Sequence, residues 1–260
     1  YLTGSGSRIA SSGSSVLVEG TGGGGDASAN NHGVYVAGGA KITSGGIAPD
    51  ATVTVFGQGG NLAGSGDANF GVYLFAAGSQ ITSSGGAVLV QGTGGGGGDA
   101  NHNAGVVVGN AGVITSAGVG ASVTVRGFGG NSTGTGSSNY GVEVTVAGAL
   151  VTSSGGPVVV EGTGGGANAS YGNCGVSVSH NGIITNGGSA GTVRVTGIGG
   201  APSGNDNGGL IVSNSGRIAS GGGDIEVVGI AGGGSSSRGL RSLIDGQIVA
   251  ATGTPTITLT

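Results

Sequence analysis

The stretch NHGVYV at residues 31–36 decides the fold of this chain, because close copies of it recur along the sequence. The copies are NFGVYL (69–74), NAGVVV (103–108), NYGVEV (139–144), NCGVSV (173–178) and NGGLIV (207–212). Each keeps an asparagine, a glycine two residues later and then alternating aliphatic residues, which is the pattern of a short β-strand. A second motif, V-x-V-x-G, returns every 35 residues from Val53 to Val193. A fixed period of this length is typical of a repeat protein.

Each repeat predicts three short strands bounded by Gly, Asn and Ser. The first is the opening phrase and the third is V-x-V. The second centres on one branched residue, which is in turn Ile9, Ile42, Ile81, Ile114, Val151, Ile184, Ile218 and Ile248. No single repeat can bury its aliphatic residues, so the repeats must stack. We therefore predict an all-β, right-handed, single-stranded parallel β-helix (a β-solenoid) as one domain over residues 1–260, with eight coils and a length of roughly 34 Å.

The repeated asparagine predicts a structural ladder along one corner of the solenoid. Its members are Asn31, Asn69, Asn103, Asn139, Asn173 and Asn207, and Ser237 takes the seventh place. An amide side chain donates and accepts hydrogen bonds, so stacked copies can bond along the axis. Asparagine also tolerates a left-handed backbone, which we expect at these positions. The glycine two residues later suits a sharp corner.

Alternate coils differ, which predicts a two-coil repeat of about 70 residues. After the third strand, connections such as EGTGGGGDASANN (19–31) alternate with others such as FGQGGNLAGSGDAN (56–69). These connections are long for turns, so they should form one glycine-rich side of the rod. We expect that side to contact other copies of the chain.

Composition excludes several classes of function. Charged residues make up 7% of the chain and the net charge is −4, so nucleic acid is not an expected partner. No apolar run is long enough to span a membrane, and no signal peptide is recognised. The chain lacks methionine and runs from strand to strand without a cap, so we expect a piece of a longer solenoid, or a subunit that stacks end to end.

The units GVYVAGGAKITSGG (33–46), GVYLFAAGSQITSSGGAVLVQGTGGGG (71–97) and GVEVTVAGALVTSSGGPVVVEGTGGG (141–166) resemble the repeats of large secreted bacterial β-helix proteins. These are filamentous-haemagglutinin-like and autotransporter-like adhesins. The resemblance implies an elongated, non-catalytic protein that is extracellular or at the cell surface, and an adhesin, stalk or filament as its role.

Catalysis by a polysaccharide lyase or hydrolase ranks third among the functions that the sequence allows. Glu19 and Glu161 share a column on the third strand but lie four coils apart, roughly 19 Å, which is too far for a glycosidase pair. Arg194 and Glu226 are the one close charged pair that we expect, and Glu143 is expected to stand alone in its column. The G-x-G-x-x-G matches precede a strand and not a helix, so no cofactor is predicted.

Histidine and cysteine give no site at this stage. His32, His102 and His180 occupy three different registers, which is not a metal-ligand spacing, so we expect exposed turn residues and no metal. Cys174 is expected to face solvent or a loop, with nothing to activate its thiol.

Tyrosines on the first strand support the second-ranked function, a glycan-binding surface module. Tyr35 and Tyr73 are predicted to point outward on adjacent coils, with Phe70 and Tyr140 at the loop ends nearby. Aromatic rings on a solenoid face can bind sugars. The competing interpretation is a cross-strand pair that stabilises the sheet.

Overall fold

The computed structural model describes residues 1–131, 133–188, 190–200, 203–250 and 255–260. Within these ranges the chain forms 24 strands and no helix, and so has no helical segment that could cross a bilayer. In chain order the strands are β1 (Leu2–Thr3), β2 (Arg8–Ser11), β3 (Val16–Thr21), β4 (Val34–Ala37), β5 (Lys41–Ser44), β6 (Val53–Gln58), β7 (Val72–Phe75), β8 (Gln80–Ser83), β9 (Val88–Thr93), β10 (Val106–Gly109), β11 (Val113–Ser116), β12 (Val123–Phe128), β13 (Val142–Thr145), β14 (Leu150–Ser153), β15 (Val158–Thr163), β16 (Val176–Ser179), β17 (Ile183–Asn186), β18 (Val193–Ile198), β19 (Leu210–Ser213), β20 (Arg217–Ser220), β21 (Ile225–Ile230), β22 (Leu240–Leu243), β23 (Gln247–Ala250) and β24 (Ile257–Leu259). Three consecutive strands make one coil.

Equivalent strands of successive coils pair in parallel. The order β1-β4-β7-β10-β13-β16-β19-β22 forms the first sheet, and the second and third strands of each coil form the second and third sheets in the same way. Val53, Val88 and Val123 are direct neighbours in the third sheet. The predicted parallel β-solenoid is therefore confirmed, because each coil gives one strand to each of three parallel sheets.

Aliphatic side chains line the inside of the tube in continuous files. Val36 in the first sheet, Ile42 in the second and Val55 in the third are fully buried, and the residues between inward positions are more exposed. Each buried aliphatic side chain contributes about 1.5–3 kcal/mol. On β24 the same files become accessible, since Ile257 is 41% and Leu259 is 52% exposed.

The glycine of V-x-V-x-G is required because the backbone of the third strand closely approaches the backbone of the following corner. A Cβ atom added to Gly127 on β12 would lie 1.9 Å from the carbonyl oxygen of Gly141, the glycine at the corner before β13. The same clash would occur at the equivalent glycines, which are Gly20, Gly57, Gly92, Gly162, Gly197 and Gly229. Any side chain here would push the third strand away from the corner.

The glycine-rich connections leave the third sheet and enter the first, and they stack on one another. Gly60 donates its N–H to the carbonyl of Asn31 in the preceding connection, and Gly130 donates to that of Asn103. This side of the rod therefore continues the hydrogen bonding of the sheets with irregular backbone.

Candidate functional site

The six predicted ladder asparagines lie one above another at the corner before the first sheet. The backbone N–H of each of the first five donates to the side-chain Oδ1 of the asparagine in the next coil, over 2.8–2.9 Å. Asn207 donates in the same way to Ser237 Oγ, 3.1 Å away. The amide nitrogens of Asn31, Asn69 and Asn139 donate to a turn carbonyl three residues earlier, as from Asn139 Nδ2 to Gly136 O at 3.0 Å, whereas those of Asn103 and Asn173 donate to the Oδ1 of the next asparagine. The column therefore links neighbouring coils and also fixes several turns.

The expectation of a left-handed backbone at the asparagines was wrong by one residue. The positive φ angles, between 52° and 66°, belong to the residues just before them, which are Asn30, Ala68, His102, Ser138, Gly172, Asp206 and Ser236. The left-handed residue turns the chain, and the side chain of the asparagine that follows can then reach the backbone N–H of the preceding coil. A side chain at the left-handed position lies on the outer surface.

An aromatic strip runs beside this ladder. Its rings are those of Tyr1, His32, Tyr35, Phe70, Tyr73, Phe75, His102 and Tyr140, each within 6.3 Å of another ring between centroids. The chain has five tyrosines, four phenylalanines, three histidines and no tryptophan, so most of its rings lie in this one strip. Tyr35 and Tyr73 are in register on β4 and β7 and stack at 5.2 Å. Such pairs contribute about 0.5–1.5 kcal/mol beyond burial.

His32 is part of the packed base of the strip, which corrects the prediction of an exposed turn histidine. It is 6% exposed, and its ring stacks on that of Phe70 at 5.0 Å and 5°. Its Nδ1 accepts the backbone N–H of Phe70, so the ring proton resides on Nε2. Burial lowers the pKa of His32 from 6.5 to about 4. His180, in contrast, is exposed as predicted.

A groove of about 330 Å³ opens at the end of the strip. It is lined by Asn101, His102, Ser137, Ser138, Tyr140 and Glu143. The left-handed His102, just before the corner, brings its Nε2 within 2.8 Å of Glu143 Oε2 on β13. Among the described strands, Glu143 has no second carboxylate in its column, as the sequence indicated, and its partner His102 comes from a different column. Desolvation lowers the pKa of His102, but the hydrogen bond and charge of Glu143 outweigh it, so the net shift is upward.

Cys174 is buried, contrary to the expectation that it faces solvent or a loop. It is 1% exposed and occupies the corner position that Phe70 and Tyr140 hold in other coils. The sulfur lies 3.8 Å from the carbonyl oxygen of Asp206 in the next connection. Burial raises the pKa of the thiol to about 11. The corner position points between the connection and the first sheet, which explains both the burial and the lack of thiolate.

Charged pairs on the third sheet are more numerous than predicted. Arg194 and Glu226 lie 3.2 Å apart, as expected, but Arg126 and Glu161 also pair at 2.8 Å. Both pairs are exposed, so each contributes about 0–1 kcal/mol. Glu19 lies in the same column as Glu161 with three strands between them, as the sequence indicated.

No group of three or more His, Cys, Asp or Glu side chains suited to a metal ion occurs in the part of the chain that the structure describes. Compared with known proteins, the chain matches no family model, and neither a curated protein nor a solved structure is significantly similar to it. Its functional interpretation therefore rests on the geometry of the molecule and on the repeat pattern of its sequence.

Comparing equivalent positions of successive coils in the sequence does not reveal the groove residues. His102 and Glu143 are 41 residues apart, whereas the period is about 35, and they belong to different columns. The sequence feature that could have indicated their contact is that they lie on either side of the same corner in adjacent coils.

Proposed function

We propose that this chain is a structural, non-catalytic segment of an extracellular filament, stalk or adhesin. The observation that carries the proposal is the continuous register of three eight-stranded parallel sheets. Stretching or bending such a rod breaks rows of backbone hydrogen bonds together, so the fold suits a mechanical role. The resemblance of the repeats to those of secreted bacterial adhesins supports a location outside the cell or at its surface.

We further propose that the solenoid associates with other copies of the chain or continues into a longer solenoid. The support is the accessible end of the inward files at Ile257 and Leu259. Another coil, from this chain or a second copy, would cover these side chains and extend the parallel sheets. Lateral packing through the stacked glycine-rich connections is the other form of self-association that we propose.

Negative-stain imaging and analytical ultracentrifugation test this role. We expect rods that lengthen, and sedimentation that increases, as the protein concentration rises. Replacing Ile257 and Leu259 with lysine should abolish end-to-end growth, whereas Thr258→Lys is a matched control on the outward side of β24. A monodisperse monomer at high concentration would contradict end-to-end assembly.

The absence of catalysis is also a proposal. A retaining or inverting glycosidase needs two carboxyl groups about 5–9.5 Å apart, and the shared column of Glu19 and Glu161 keeps them about 19 Å apart. His102 and Glu143 form a hydrogen-bonded acid–base pair elsewhere, with a single carboxylate. Incubation with neutral and acidic polysaccharides, followed by sizing of the products, tests this point. A shortened polymer would overturn it.

Glycan binding is a second function, and the aromatic strip favours it. Sugar sites combine a ring face with a few directed polar groups, and this chain gathers most of its rings beside one polar groove. The stacked Tyr35 and Tyr73 remain candidate contacts, although their rings already pack on each other and on His32.

A further inference from the structure

The groove at the end of the aromatic strip has the size of a small-ligand site. Its volume of about 330 Å³ falls within the range of sites for small molecules, roughly 300–1,000 Å³. It lies between two connections, with Asn101 and His102 on one side and Ser137, Ser138 and Tyr140 on the other. The first sheet contributes Glu143.

Neighbouring coils hold the polar groups of the groove in place. Asp67 Oδ1 accepts the backbone N–H of Asn101 at 2.7 Å, and Asn101 Oδ1 accepts that of Ser137 at 2.8 Å. Glu143 uses Oε2 for His102, and its Oε1 has no hydrogen-bond partner within the described ranges. Groups that are fixed before binding lose little entropy when a ligand arrives.

Tyr140 supplies an aromatic surface at the same place. Its ring contacts that of His102 edge-on, with the centroids 5.9 Å apart. Burial, with a smaller contribution from the charge of Glu143, raises the pKa of the phenol to about 12, so its hydroxyl keeps its proton. A sugar ring has an apolar C–H face and a rim of hydroxyl groups, which match an aromatic ring and an adjacent carboxylate respectively.

The charges around the groove select between classes of sugar. Glu143 belongs to the groove, Asp67 contacts Asn101, and Asp99 Oδ1 accepts the hydroxyl of Thr135 nearby. His102 is the one basic side chain among the lining residues, and it is paired with Glu143. A sugar carboxylate would therefore meet like charge and lose affinity.

We infer that this groove binds a neutral or amino sugar, with Tyr140 as the stacking surface and Glu143 Oε1 as the acceptor for its hydroxyl groups. The inference rests on the second function proposed above, glycan binding, and assigns it to these residues and not to the pair Tyr35 and Tyr73. It is independent of the filament role.

Saturation-transfer-difference NMR of the whole chain tests the assignment. The probes are glucose, galactose, mannose and N-acetylglucosamine, with glucuronic acid, galacturonic acid and sialic acid as the acidic counterparts. The variants are Tyr140→Ala and the isosteric Glu143→Gln, and Tyr35→Ala together with Tyr73→Ala is the matched control on the same strip. Far-UV circular dichroism establishes that each variant is folded.

We expect a signal from at least one neutral or amino sugar, a loss of affinity of at least tenfold in Tyr140→Ala and in Glu143→Gln, and no such loss in the control. No signal from any probe would overturn both the glycan function and this site. Binding that depends on Tyr35 and Tyr73 but not on Tyr140 would overturn the site alone. A preference for acidic sugars would overturn the ligand class.

Discussion

Replacing Asn103 with alanine should destabilise the solenoid at a fully buried corner. Asn103 is fully buried, as is Asn69, whose backbone N–H donates to Asn103 Oδ1 over 2.8 Å. The substitution leaves that N–H without an acceptor where water has no access, which costs about 1–3 kcal/mol. It also removes the bond from Asn103 Nδ2 to Asn139 Oδ1 at 3.2 Å, worth about 0.5–1.5 kcal/mol. We therefore expect a total loss of about 1.5–4.5 kcal/mol.

The chain contains a matched control for this substitution. Asn31 is the first member of the same column and is only partly buried, and within the described ranges no backbone N–H of a preceding coil donates to it. Asn31→Ala removes the bonds that its Nδ2 donates to Ser28 O and Asn69 Oδ1 but leaves no buried N–H without an acceptor, so at this partly buried position it should cost about 1–2 kcal/mol. Asn103→Ser should recover part of the loss, because Ser237 already accepts the N–H of Asn207 at the equivalent place.

Hydrogen exchange is the appropriate assay, since a solenoid is stabilised coil by coil and can open locally. In Asn103→Ala the amide of Asn69 should exchange roughly 10- to 1,600-fold faster, as about 1.4 kcal/mol corresponds to tenfold. Urea unfolding followed by circular dichroism gives the global value. If Asn103→Ala and Asn31→Ala lose the same stability, or if the Asn69 amide exchanges at its wild-type rate, the ladder does not stabilise the corner as argued.

Three other predictions follow from the packing. Gly127→Ala should unfold or strongly destabilise the chain, because the added Cβ would lie 1.9 Å from a carbonyl oxygen. Gly25→Ala is the control and should be tolerated, since an added Cβ there has no atom within 4 Å. Equal melting temperatures of the two variants would contradict this prediction. In NMR titrations His32 should change protonation near pH 4 and His102 above 6.5. Because the unfolded chain binds the His32 proton more tightly, the stability that His32 contributes should fall as the pH drops from 6.5 towards 4, by about 2 kcal/mol at pH 5, whereas the raised pKa of His102 acts in the opposite direction; an ordinary His32 pKa would refute this prediction. Cys174 is 1% exposed and its thiol has a pKa of about 11. At pH 8 it should therefore react with a disulfide reagent far more slowly in the folded protein than in the protein unfolded by urea. Similar rates in the two states would show that the thiol is accessible in the folded protein.

Sequence reasoning succeeded where a feature repeats with the period of the fold. Val53, Val88 and Val123 are spaced evenly in the sequence, and the sheets place them side by side. The asparagine column could be read in the same way, since one residue type recurs at one place in each coil. Repetition makes such features visible because every coil places the same requirement on the same position.

The candidate site was hidden because it departs from the repeat. His102, Glu143 and Tyr140 each occupy a position where other coils carry something else, and their proximity depends on a left-handed residue just before the corner. The burial of Cys174 has the same origin, since the corner position points between the connection and the first sheet.

The amino-acid sequence by itself determined the period, the three strands of each coil, the inward aliphatic files and the asparagine column. These follow from local alternation and from the need of each coil to bury its apolar face on a neighbour. Only the tertiary structure decided which corner side chains are covered, that His102 pairs with Glu143 and where the rings enclose a groove. Those outcomes depend on how connections of unequal length stack across adjacent coils, which is a non-local property of the folded chain.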